Sequence, residues 1–145
     1  MSHGPDSLSS PCLHLLLFSF AGVCFGVEAG QIAEMSAHGD ENEANLFWFH
    51  EAIGIDGSNG CYHTPNVLAI RTEDARKYRV IVDAIEDLVD IRMDEIRPFP
   101  RIMASYVMQK GLWGVAIRSN RQILLVDFLY LLRQKTVIKD DRGIC

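Results

Sequence analysis

Residues Leu13 to Phe25 read LHLLLFSFAGVCF, an apolar run with no Asp, Glu, Lys or Arg in it. Such a run has three fates: the core of a signal peptide, a membrane span, or the inside of a fold. A secretory leader carries positive charge ahead of its apolar stretch, and no Lys or Arg precedes this one. A lipoprotein cleavage site wants a small residue before the cysteine, and Val23 precedes Cys24. The run also falls short of the roughly 20 apolar residues that a spanning helix needs. It therefore reads as core strand, and the chain is expected in the cytoplasm without inserting into a membrane. Within it, Leu15 to Phe20 is densely apolar and Ala21-Gly22 offers a turn. Val23, Phe25 and Val27 then alternate with Cys24, Gly26 and Glu28, which predicts a β-hairpin.

The same grammar recurs further along. Met1 to Pro11, rich in Ser, Gly and Pro, reads as a flexible tail (residues 1–11), and residues 136–145 as a second tail. His38 to Asn45 is an acidic loop, Leu46 to Phe49 is strand-like, Ile53 to Thr64 is turn material, and Val67 to Ile70 is another short run. Tyr78 to Ile91 fits two periods: Ile81, Ile85 and Leu88 suit a helix, while Tyr78, Val80 and Val82 alternate as in a strand. Pro98 and Pro100 close it. Trp113, Val115 and Ile117 alternate with Gly114, Ala116 and Arg118, turn at Ser119-Asn120 and continue into a strand over 122–126. Residues 128–134 predict a short closing helix with Asp127 at its N-cap. Several short strands with glycine turns favour a small barrel or a pair of barrels. The 145 residues fit one compact domain or two very small ones sharing a core.

Chemistry is hard to find. The chain carries a net charge of −5, and the basic run from Arg71 to Arg79 is interrupted by Glu73 and Asp74, which argues against nucleic acid as a partner. Cys12, Cys24, Cys61 and Cys145 form no C-x-x-C pair, so no metal site is expected and free thiols are. There is no G-x-S-x-G, Walker loop or G-x-G-x-x-G, so no catalytic residue or cofactor is assigned. Asp83, Glu86, Asp87, Asp90, Asp94 and Glu95 read as a solvated acidic edge; on one strand Asp83 and Asp87 would share a face roughly 13 Å apart. Glu51 and Asp56 could be imagined as an acid/base pair, but nothing fixes their separation. His50 reads as a partly buried spacer, and Trp48 and Trp113 as core aromatics.

Three stretches together resemble the CheW-type coupling domain of bacterial chemotaxis. Leu15 to Met35 (LLLFSFAGVCFGVEAGQIAEM) is similar to the family's opening strands. Tyr78 to Pro100 resembles its Val-Asp-Ala-Val strand, here Val82, Asp83, Ala84 and Ile85, and its Glu-Ile-Arg-x-x-Pro ending, here Glu95, Ile96, Arg97 and Pro100. Gly111 to Leu132 resembles the closing hairpin and Leu-Leu-Asp-x-x-x-Leu-Leu, here Leu124, Leu125, Asp127, Leu131 and Leu132. The resemblance covers residues 12–135. It implies a mostly β fold of two intertwined five-stranded SH3-like barrels with a short C-terminal helix, and makes Tyr78 to Ile91 a long bent strand. One departure stands out. The family's Asn-Leu-Arg-Gly turn is absent, and Gly39 to Glu51 occupies its place, with Phe47 to Glu51 able to stand for a strand.

The resemblance implies a non-enzymatic adaptor that couples a chemoreceptor signalling domain to a histidine kinase regulatory domain, or binds another CheW-like protein. The missing turn leaves the protein-interaction residues unassigned. It also motivates a second reading, a divergent module serving another motility or signalling assembly. A small ligand-binding barrel or enzyme is the third reading, and it requires polar groups converging around His50, Glu51 or His63.

Overall fold

The computed structural model describes residues 11–39, 45–55, 62–73 and 78–133. Residues 1–10 of the expected N-terminal tail, the expected tail over 136–145, the part of the acidic loop over 40–44, Asp56, Asp74 and Cys61 lie outside the described residues. Ten strands occur in chain order: β1 Cys12–Phe20, β2 Val23–Glu28, β3 Ile32–Ala37, β4 Leu46–Trp48, β5 Asn66–Ile70, β6 Tyr78–Val82, β7 Ile85–Arg92, β8 Ile96–Arg97, β9 Leu112–Arg118 and β10 Arg121–Val126. Helices α1 (Phe49–Ile53) and α2 (Arg101–Gln109) interrupt them, and α3 covers residues 128–133.

The strands form a six-stranded sheet, β7-β1-β2-β10-β9-β8, and a four-stranded one, β3-β5-β6-β4. Both expected hairpins are present. Ala21 and Gly22 have φ of 53° and 81°, and Ser119 and Asn120 have φ of 52° and 63°. These positive values match the hand of tight two-residue hairpin turns. Leu15, Leu16, Leu17 and Phe18 are all buried, so this stretch of β1 is covered on both faces, while Cys12 and His14 at its start are exposed. Leu15 and Leu17 pack with Cys24, Ile123 and Leu125, whereas Leu16 and Phe18 pack with Phe25, Val27, Val80 and Phe128. A strand covered on both faces must be apolar at every position, which is why this run is unbroken.

Two crossovers bind the sheets together. The 3-10 turn Ala29–Gln31 carries β2 out of the first sheet into β3 of the second. Asp83-Ala84 carries β6 of the second sheet into β7 of the first. The stretch Tyr78 to Ile91 is thus extended and bent, in two strands with a break, not a helix. The break also corrects the expected face shared by Asp83 and Asp87: Asp83 is buried at 6% exposure and Asp87 is exposed.

The partition is six and four strands, where the resemblance implied five and five, and no ladder closes either sheet among the described residues. The larger sheet nevertheless curls. β7 and β8 sit at opposite edges yet are joined by the three residues Met93–Glu95. Arg121 on β10 reaches Glu86 on β7 at 2.9 Å, although three strand spacings would separate them by about 14 Å if flat. Helix α3 closes the larger core with buried Phe128, Leu131 and Leu132. Asp127 accepts the Tyr130 N–H at 3.2 Å, as expected of the N-cap, and Gln31 accepts the Phe128 N–H at 3.0 Å.

Phe49 departs from the strand expected over Phe47 to Glu51. Helix α1 begins there, because the Glu51 carboxylate accepts the Trp48 N–H at 3.2 Å and Gly54, at φ 76°, ends the turn.

Candidate protein-interaction surface

The polar residues singled out in the sequence disperse into structural roles. Asp83 Oδ1 accepts the backbone N–H groups of His63 and Thr64 at 2.8 and 2.7 Å, fixing the entry to β5 at the crossover between sheets. It is therefore a buried lock and not part of the solvated edge expected for it. Glu86 pairs with Arg121. Asp90 pairs with His14 across β1 and β7. Asp94 pairs with Arg92 at 3.0 Å, while Glu95 accepts the Arg92 N–H at 2.9 Å.

His50 is half-buried; its ring lies 5.8 Å from that of Phe20 and its Nδ1 bonds Tyr62 Oη at 2.9 Å. Tyr62 also accepts the His50 backbone N–H at 3.1 Å. Burial foremost, helped by the negative charge of Glu51 and Asp83, pushes the Tyr62 phenol up to about 12. Glu51 caps α1, so its oxygen is committed to Trp48. Trp48 is half-buried, edge-on to Tyr62 at 4.7 Å and His38 at 5.4 Å, in line with a core role. These contacts knit a helix end to a loop; they do not converge on a reactive atom. Among the described residues no group of three His, Cys, Asp or Glu side chains could hold a metal. Cys12 and Cys24 are free thiols, and burial foremost raises that of Cys24.

A cleft of about 220 Å³ lies between β7 and the β9–β10 turn. Leu17, Val89 and Ile123 form its apolar floor, and Glu86, Asp87, Arg118 and Arg121 stand around it. It is small against the several hundred Å³ of a drug-sized ligand site.

The feature with the clearest meaning is apolar and exposed. Helix α2 buries only Val107, while Ile102 is 96% exposed, Tyr106 63%, and Met103 and Met108 are exposed as well. On a helix of 3.6 residues per turn, Ile102 and Tyr106 stack one above the other, about 100–140° round from Val107. Arg101, Ser105 and Gln109 leave only a narrow polar stripe, and an apolar arc this wide belongs against a partner surface. Beside it, β9 buries Gly114 and Ala116 and turns Trp113 and Ile117 outward. Trp113 therefore corrects the expectation of a core aromatic. Val115 is half-buried opposite Leu124, so the outward side of β9 continues the apolar face of β10. Gly114 has no room for a side chain, since a Cβ there would lie 2.9 Å from Ile96 Cγ2.

Charge follows the same boundary. From Ile96 to Val126 the chain has no Asp or Glu and five cations: Arg97, Arg101, Lys110, Arg118 and Arg121. Lys110 donates to the Gly54 carbonyl at 2.8 Å and sits 5.0 Å from the Tyr106 ring centre. Sequence reading missed this surface. Two signals were visible: the carboxylate-free stretch, and the polar residues Arg101, Ser105 and Gln109 at helical spacing beside Ile102, Met103, Tyr106 and Val107.

No helix among the described residues is long and apolar enough to cross a membrane. No family model matches the chain, and no curated protein matches it in sequence. A solved structure does match: the scaffolding protein TtCheW from Thermoanaerobacter tengcongensis, with a TM-score of 0.66 and 15% identity, over 86% of this chain and 90% of that one. The order of elements, the two linked sheets and this superposition agree that the chain has a CheW-like, mostly β fold.

Proposed function

We propose that this protein is a non-enzymatic, cytoplasmic adaptor of chemotaxis-type signalling that couples a chemoreceptor signalling domain to a histidine kinase. The observation that carries this reading is the likeness to a scaffolding protein over nearly the whole of both chains. The use of His50, Glu51, Asp83, Glu86 and Asp90 in structural bonds supports the non-catalytic half. The CheW-like unit spans 12–135 in this reading. Its sheets roll into two intertwined SH3-like barrels, the bent pair β7–β8 counting as one strand of the first. The turn Met93–Glu95 and the Arg121–Glu86 contact support that closure.

Tagged protein expressed in its native cell tests the role. Co-purification of a chemoreceptor, a histidine kinase or another CheW-like protein is the expected result, and recovery of none of them contradicts it. A second reading is favoured by the missing Asn-Leu-Arg-Gly turn, where α1 now follows β4. It makes the protein a divergent module of another motility or signalling assembly. Genes for a full chemotaxis system beside this one favour the first reading; their absence, with other motility genes present, favours the second.

A further inference from the structure

We propose that the face built by α2 and the outward side of β9 docks an acidic amphipathic helix of a partner protein. This docking rests on the protein-binding half of the adaptor reading and does not depend on which receptor or kinase is involved.

A helix of nine residues is too short to hold itself together in water and depends on burying a face. Here Val107 alone is buried; Arg101, Ser105 and Gln109 make a narrow polar stripe, and Ile102 and Tyr106, between that stripe and Val107, are left exposed. Single exposed apolar residues are ordinary; a cluster on one helix, with Trp113 and Ile117 on the strand that follows, marks an interface.

Charge selects the occupant. Of the five cations in this stretch, Arg121 is held by Glu86, Arg97 donates to the Asp94 carbonyl and Lys110 to the Gly54 carbonyl. The side chains of Arg101 and Arg118 are exposed and have no hydrogen bond or ion pair among the described residues. Arg101 precedes exposed Ile102 at the start of α2, whereas Arg118 follows Ile117 on the opposite side of β9, in the cleft with Glu86 and Asp87, so among the described residues Arg101 is the unpaired cation of this face. A helix with an apolar stripe and carboxylates along its flanks fits this carboxylate-free face, filling the apolar surface and giving the Arg101 guanidinium a planar, bidentate partner. A second copy of this chain is less well matched. Its acidic edge on β7 offers one exposed apolar residue, Leu88, and Glu86 and Asp90 there are already paired.

The test uses the full chain and three probes. The first is a helical peptide of about 18 residues with leucines at helical spacing flanked by Glu. The second has the same leucines flanked by Lys. The third is a set of phosphatidylserine-containing vesicles. The Glu-flanked peptide should bind at least about tenfold more tightly than the Lys-flanked one, and its affinity should fall as salt rises. Ile102→Glu, with an unchanged circular dichroism spectrum, should weaken binding by about tenfold or more. Arg101→Ala should weaken it and reduce its salt dependence, and Leu88→Glu should do neither. Four results overturn the proposal: no peptide binding, equal binding of both peptides, binding to vesicles alone, or self-association that Ile102→Glu abolishes. Peptide binding without recovery of any chemotaxis partner from cells would sink the coupling role and leave the docking surface standing.

Discussion

At one end of the six-stranded sheet, β7 turns Glu86, Asp87 and Asp90 toward water around a single exposed apolar residue, Leu88. Toward the other end, one strand in from β8, β9 turns out Trp113 and Ile117, with α2 beside it exposing Ile102, Met103 and Tyr106. Inward, the two ends are alike: Val89 and Ile91 of β7 and Ala116 of β9 fill the same core with Ile123 and Leu125. Folding asks the same thing of both ends, so their difference on the outside is not a requirement of the fold. Acidic side chains on an exposed edge keep it from pairing with other chains. An apolar, carboxylate-free face does the reverse and invites a partner.

The largest effects should come from the shared interior. Phe18 is fully buried, 5.0 Å ring to ring from Phe49 and 6.1 Å from Phe128. Phe18→Ala should cost about 3–5 kcal/mol in denaturant unfolding, and binding at the α2–β9 face should vanish only because the fold does. Asp83→Ala leaves the His63 and Thr64 N–H groups without their acceptor and should cost about 1–3 kcal/mol. A loss under about 0.5 kcal/mol would mean that the crossover is not locked there.

Tyr62 supplies a control away from both ends. Its phenol titrates near 10 in the unfolded chain and near 12 in the fold. Between those values the native state holds the extra proton, so stability is full below pH 10 and falls as pH rises from 10 to 12. Tyr62→Phe should remove that slope while costing about 1 kcal/mol at neutral pH through the lost His50 bonds. Ligand binding at the α2–β9 face should not change.

The smallest stability effects distinguish the ends most sharply. Ile102→Glu and Leu88→Glu replace exposed side chains and should each shift unfolding by no more than about 0.5 kcal/mol. Only the first should alter binding. Equal effects on binding would erase the contrast between the two ends.

Much of the fold was legible because its signals are local. The hairpins announced themselves by alternation around Ala21-Gly22 and Ser119-Asn120, and α3 by Asp127 before an apolar run. The period over Tyr78 to Ile91 was ambiguous because the segment serves two sheets, changing faces at Asp83-Ala84. Asp83 reads in sequence like its acidic neighbours; its partners lie 20 and 19 residues away, and only the fold brings them to it. Phe49 looked like strand because Leu46 to Phe49 is uniformly apolar, yet the decisive bond is the Glu51 cap. The candidate surface was the least legible part. Ile102, Trp113 and Ile117 have the composition of core residues, and their exposure depends on what the rest of the chain fails to cover.

A photo-crosslinking residue at position 102, compared with one at position 88 in the native cell, tests the central claim most directly. An adaptor that works through the α2–β9 face should give covalent adducts with a receptor, a histidine kinase or another CheW-like protein from position 102 and none from position 88. Adducts from position 88 alone, or from neither position, would contradict it.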